Sequence, residues 1–265
     1  MKNDINVILH PTDFSEAAHN AFTYAREIAR KVNAKIRVTH SVNVPYSYGT
    51  DRMMQEFISK KNLSISDIET TVEAGDPVSN ILASRGDLII IGAKGKSNLA
   101  TILYGSISTN IILKSSVPVL VVPLSRKYSD FNHFTFATDY REGDLEALEE
   151  IVKWAELFDN ADITVFHTSS DNSLDTTIKY RGFRELITES FDYPRINFQL
   201  TIDKNFASGI STYLDKQDTD VIVMTRHKKT FLQSLMQSNH IKQTSYSEVP
   251  LLVLPERKKY KLTTE

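Results

Sequence analysis

Asp87-Leu88-Ile89-Ile90-Ile91-Gly92-Ala93-Lys94-Gly95 is the stretch on which the fold turns. A short apolar run that stops at a pair of glycines predicts a strand ending in a tight loop. The run recurs 133 residues later as Asp220-Val221-Ile222-Val223-Met224, now followed by Thr225. Moving outward, Val117-Pro118-Val119-Leu120-Val121-Val122-Pro123 matches Val249-Pro250-Leu251-Leu252-Val253-Leu254-Pro255 at an offset of 132. His40 matches His167 at 127, and Asp13 in Pro11-Thr12-Asp13 matches Asp139 in Ala137-Thr138-Asp139 at 126. Four pairs in order at nearly constant spacing identify a tandem duplication. The expected domains are 1–125 and 131–256, joined by the polar segment Ser125 to Asp130.

Within each half, strands alternate with helical patterns, the rhythm of an α/β fold with a parallel sheet. Ile5 to Leu9 and Ile36 to His40 read as strands. Between Ser15 and Val32, apolar residues at Ala18, Ala21, Phe22, Ala25, Ile28, Ala29 and Val32 trace one helical face. The same reading predicts strands near 68–73, 87–91 and 118–122 and helices near 51–62, 76–84 and 105–115. A five-stranded parallel sheet wound both ways, in the order 3-2-1-4-5, binds ligands where strand four returns beside strand one. The loops to inspect in the first half therefore hold Pro11-Thr12-Asp13 and Gly92 to Gly95.

Composition narrows the function classes. With 265 residues, 41% hydrophobic and 24% charged, the chain is an ordinary globular protein of two-domain length. Its net charge of −2 gives no bulk attraction to a nucleic-acid backbone, so no nucleic-acid partner is expected. The absence of cysteine removes disulfides, thiolate nucleophiles and cysteine metal sites. No signal peptide and no apolar run of membrane-spanning length is read, so a cytoplasmic protein without membrane contact is expected. The Glu256-Arg257-Lys258-Lys259 tail reads as a solvated end.

After Gly92-Ala93-Lys94-Gly95 come nine residues and then Gly105-Ser106, opening a helix whose first turn continues with Ile107 and Ser108. Glycines let a ligand approach the backbone, and helix-start amides with a serine hydroxyl suit an anion. The plain alternative is a glycine turn followed by a cap. Gly95-Lys96-Ser97 mimics the end of a Walker A loop, but Ile90 stands where that motif needs its first glycine. No G-x-G-x-x-G follows strand one, so a dinucleotide dehydrogenase is not supported.

The spacing G-x-x-G, nine residues, G-S after strand four resembles the ATP-binding branch of the universal stress protein family. The resemblance covers both halves, including Pro11-Thr12-Asp13-Phe14-Ser15 and Thr138-Asp139. It implies two Rossmann-like domains of the adenine nucleotide alpha hydrolase-like type. It also implies an ATP site formed by Pro11, Thr12, Asp13, Ser41, Gly92, Gly95, Lys96, Gly105, Ser106, Ile107 and Ser108, with Mg accompanying the triphosphate. Asp13 and Ser41 would meet the adenosine part, Ser41 through its backbone. Asp13 has a second reading, because Asp13 and Glu16 form a capping box for the first helix, repeated by Asp139 and Glu142.

The second half departs from the pattern: Thr225, Lys228 and Ser238-Asn239 replace Gly92, Gly95 and Gly105-Ser106. A nucleotide is therefore expected in the first half only. His227 and His240 have no diagnostic metal-ligand spacing, and no catalytic constellation is read. The leading expectation is a stress-response regulator or adaptor that binds ATP and an unknown protein partner. A slow ATPase or phosphoryl-transfer enzyme is the first alternative, and a nucleotide-independent scaffold the second. The family resemblance further implies that the apolar fifth strands pair the halves as an intramolecular pseudo-dimer, with a homodimer through other surfaces.

Overall fold

The structure, a computed structural model, describes residues 5–42, 48–59, 68–93, 106–141, 143–226 and 248–256. The chain divides into two compact units, Met1–Tyr128 and Ser129–Glu265.

In the first unit the order is β1 Val7–Pro11, α1 Glu16–Val32, β2 Lys35–Val42, α2 Tyr48–Ser59, β3 Ile68–Ala74, α3 Pro77–Ala83, β4 Leu88–Ala93, α4 Ser106–Lys114 and β5 Val119–Pro123. Its five strands are all parallel and lie in the order β3-β2-β1-β4-β5. The expected elements appear, with α2 starting earlier than expected. Ala18, Ala21, Phe22, Ala25, Ile28 and Ala29 of α1 are buried, as the apolar stripe predicts, while Val32 at the helix end is half-buried. Leu88, Ile89 and Ile90 of β4 are 0–2% exposed, as in a parallel strand covered on both faces. Each such side chain contributes about 1.5–3 kcal/mol over its exposed state.

The second unit repeats the plan with β6 His133–Ala137, α5 Gly143–Leu157, β7 Asp162–Ser169, α6 Leu174–Ser190, β8 Ile196–Ile202, α7 Phe206–Leu214, β9 Val221–Thr225 and β10 Leu251–Leu254. Its parallel order is β10-β9-β6-β7-β8.

The duplication reaches individual hydrogen bonds. Asp87 Oδ2 accepts from the amides of Asn6 and Val7 at 2.8 and 2.9 Å; Asp220 Oδ2 accepts from those of Asn132 and His133 at 2.8 and 3.1 Å. These carboxylates fasten strand four to the start of strand one in each unit. Phe14 and Tyr140 take left-handed backbone angles, φ 60 and 61. Their amides donate to the hydroxyls of Thr12 and Thr138 at 3.0 and 2.9 Å.

The capping-box reading of the first helix is corrected. Ser15 is the N-cap, its hydroxyl accepting from the Ala18 amide at 3.3 Å, while Asp13 Oδ1 accepts from the Ser15 amide at 3.1 Å. The left-handed turn at Phe14 carries the chain one step further before the helix starts. In the second unit Asp139 pairs with Arg141 at 3.0 Å. Glu142 lies outside the described residues.

Candidate functional site

A cavity of about 340 Å³ opens at the carboxyl ends of β1, β2 and β4, where strand order reverses. Pro11, Thr12 and Asp13 reach it from the loop after β1, Ser41 from β2, Gly92 from β4, and Ser106, Ile107 and Ser108 from the first turn of α4. These expected site residues, drawn from four separate segments, converge on one space. Gly95, Lys96 and Gly105 lie outside the described residues, as do His227, Lys228, Ser238, Asn239 and His240.

The wall also contains residues that motif reading passed over: Thr39, His40, Pro77 and Ile81. Strand alternation was the available signal for Thr39, which lies two residues before Ser41 and so shares its face. His40 Nδ1 donates to the Thr12 carbonyl at 2.8 Å, and Phe14 packs on its ring at 4.5 Å. The Thr39 hydroxyl is buried without a hydrogen-bond partner among the described residues, a polar atom in the wall that a polar ligand would satisfy. The first amides of α4, at the same cavity, lack intrahelical acceptors, as at any helix start. The cavity wall thus carries both a carboxylate, that of Asp13, and the helix-start amides of α4.

Gly92 has a packing role besides the one its motif suggests. Its backbone is that of a strand, and Gly75 is the glycine with positive φ among the described residues. A Cβ at Gly92 would overlap the carbonyl oxygen of Ala17 and lie 2.5 Å from its carbon. Glycine is required because α1 packs its first turn directly onto β4.

Beneath the cavity loop, His10 is fully buried between Phe22 and Phe57, its Nδ1 donating to the Ile90 carbonyl at 2.9 Å. Burial, the largest influence, lowers its pKa from 6.5 to about 4. The folded state therefore holds neutral imidazole while the unfolded chain takes up a proton near pH 6.5. Stability from this residue is complete above pH 6.5 and falls as pH drops towards 4, by about 3 kcal/mol in total. Urea denaturation of the wild type and His10→Gln at pH 7.5 and pH 4.5 checks this: the variant should lose less stability on acidification.

The second unit fills the corresponding positions with its own side chains. Phe166 stands where Thr39 stands, and its ring meets Phe206, the counterpart of Pro77, at 5.8 Å and Tyr213 at 4.9 Å. At the other end, Asp144 is fully buried beside Thr225, the counterpart of Gly92. Its Oδ2 accepts from the Thr138 hydroxyl at 2.6 Å and the amides of Asp139 and Arg141 at 3.2 and 3.3 Å, and its Oδ1 from the Thr225 hydroxyl at 3.1 Å. Gly209 of α7 approaches β7 so closely that a Cβ would lie 2.5 Å from Thr168 Oγ1. Sequence reading missed Asp144, whose signal was a carboxylate in the first helical turn facing a strand-four threonine.

Among the described residues, no helix is long and apolar enough to cross a membrane, and no group of three or more His, Cys, Asp or Glu side chains is placed to hold a metal.

Comparison with known proteins gives the following. The family model described as "Universal stress protein family" matches residues 5–123. The chain is similar to universal stress protein MJ0577 of Methanocaldococcus jannaschii, 29% identical over 150 residues, covering 43% of this chain and 93% of that protein. The crystal structure of a universal stress protein from Archaeoglobus fulgidus aligns with 96% of this chain and 97% of its own at 22% identity and a TM-score of 0.67. A universal stress protein solved in complex with cAMP aligns with 46% of this chain and 100% of its own at 26% identity and a TM-score of 0.40.

Proposed function

We propose that the chain is a universal stress protein, the family whose model matches its first unit, and that this unit binds ATP, with Mg on the triphosphate, while the second unit does not. The observation that carries the reading is the contrast between the two halves. The first unit has a cavity of about 340 Å³, within the range of small-ligand sites, walled by Asp13, Gly92 and Ser106. In the second, Phe166 and Phe206 occupy one end, and at the other Asp144 brings a buried carboxylate to where phosphate oxygens would lie. An anion beside that carboxylate would meet like charge with little screening solvent.

ATP occupancy would then bias binding of a protein partner, making the protein a regulator or adaptor of the cytoplasmic stress response. This assignment rests on family analogy rather than on chemistry at the site. Isothermal titration of the full chain with ATP should give a stoichiometry near one. Gly105→Val should abolish that binding with the fold intact, and Lys228→Gly should create no second site. Two tight sites per chain would overturn the proposal, and titration with cAMP shows whether the site discriminates between adenine nucleotides. Single-turnover hydrolysis in the same samples tests the ATPase alternative, for which several turnovers per second would be the supporting result.

A further inference from the structure

Thr39 carries a hydroxyl where the fold does not need one. It lies within β2 and is 1% exposed, and its counterpart in the second unit, Phe166, is 0% exposed. A parallel strand covered on both faces fills such a position with an apolar side chain. Burying a hydroxyl that bonds to nothing opposes folding, and the Thr39 hydroxyl has no partner among the described residues. Valine has the same branched shape without that cost.

Strand alternation puts Thr39 on the same face of β2 as Ser41, about 7 Å deeper along the strand. Helix α3 covers that face: Asn80 donates from Nδ2 to the Ser41 hydroxyl at 3.1 Å. In the second unit Gly209 stands where Asn80 stands, and the α7 backbone lies directly on Thr168, the counterpart of Ser41. The Asn80 side chain therefore holds α3 off β2, and the space gained is walled by Thr39, Pro77 and Ile81. Pro77 and Ile81 make this part of the cavity apolar, with the Thr39 hydroxyl as a polar atom among them. Such a slot suits a flat heteroaromatic ring with a nitrogen on its edge. A phosphate group needs several donors or a cation around it.

On the reading that the first unit binds ATP, we propose that Thr39 reads the base: its hydroxyl donates a hydrogen bond to a ring nitrogen of the bound purine. The hydroxyl proton rotates to suit its acceptor. Its desolvation is already met in the folded protein, so the bond formed on binding adds to affinity. A base lacking the acceptor leaves the hydroxyl buried and unpaired, which is how a polar group in a slot rejects an analogue. Thr71, the register partner of Thr39 on β3, also has a buried hydroxyl without a partner among the described residues. It is not part of the cavity wall, and serves as the control.

Calorimetric titration with ATP and thermal denaturation without nucleotide, both on the full chain, test this. Thr39→Val should bind ATP about tenfold more weakly than the wild type, with a melting temperature equal to the wild type's or higher. Thr39→Ser keeps the hydroxyl and should keep most of the affinity, and Thr71→Val should bind ATP as the wild type does. Among ATP analogues with a single ring nitrogen replaced by carbon, one should bind the wild type about tenfold more weakly than ATP does, yet bind Thr39→Val as well as ATP does, because one hydrogen bond is lost only once. A wild type that binds no ATP overturns the nucleotide reading and this proposal together. Equal ATP affinity in the wild type and Thr39→Val overturns the proposal alone, as does a Thr39→Val loss that simply adds to the loss seen with every analogue. A lower melting temperature for nucleotide-free Thr39→Val would assign the hydroxyl to the fold and also overturn it.

Discussion

Gly92→Val should cost the first unit its cooperative fold, by more than about 4 kcal/mol. The ideal Cβ position already overlaps the Ala17 carbonyl, lying 2.5 Å from its carbon, and the Ala18 amide nitrogen lies 3.0 Å away, before valine's two methyl groups are added. Backbone atoms of a helix cannot move aside as the tip of a flexible side chain can. To make room α1 must lift from β4, which would expose the face bearing Ala18, Ala21, Phe22, Ala25 and Ile28. Even Gly92→Ala should destabilise the unit strongly. The chain's single tryptophan makes the effect measurable. Trp154 is buried in the second unit, so its fluorescence follows that unit alone, whereas far-ultraviolet circular dichroism follows both. The variants should lose helical signal at low urea while Trp154 keeps its native emission. A Gly92→Ala variant as stable as the wild type would refute the packing explanation.

The second large effect is expected at Asp144. Replacing it with alanine withdraws one acceptor from the Thr138 and Thr225 hydroxyls and from the amides of Asp139 and Arg141. Taking a buried acceptor from several donors costs far more than the net worth of the bonds, so a loss of about 3–5 kcal/mol is expected. Asp144→Asn keeps one acceptor oxygen and should lose less than half as much. Urea denaturation followed by Trp154 emission, which lies on the same helix α5, reads both variants directly. Equal losses for alanine and asparagine would show that the hydrogen bonds do not carry the effect.

The parts of the molecule legible in the sequence were those governed by local pattern. The α1 stripe was legible because helical periodicity survives in the residue order, and the repeat because equal spacing needs no knowledge of contacts. The cavity wall was legible in part, since the loops after β1 and β4 must meet at the reversal of strand order. The packing reason for Gly92 was not legible because the clashing carbonyl belongs to Ala17, far away in the chain. Asp144 escaped notice because its Oδ1 partner, Thr225, lies 81 residues away. Asp13 and Ser15 are both able to cap a helix, and the left-handed turn at Phe14 decided between them.

The loop bearing Asp13 is held by groups that belong to the protein alone. The Thr12 hydroxyl fixes the Phe14 amide, His40 fixes the Thr12 carbonyl, and the Phe14 ring rests on His40. A ligand arriving at this wall has no ordering of it to drive, so that entropy is already spent during folding. Capture through this side of the cavity is then set by encounter, and differences in affinity between ligands fall on how long each one stays.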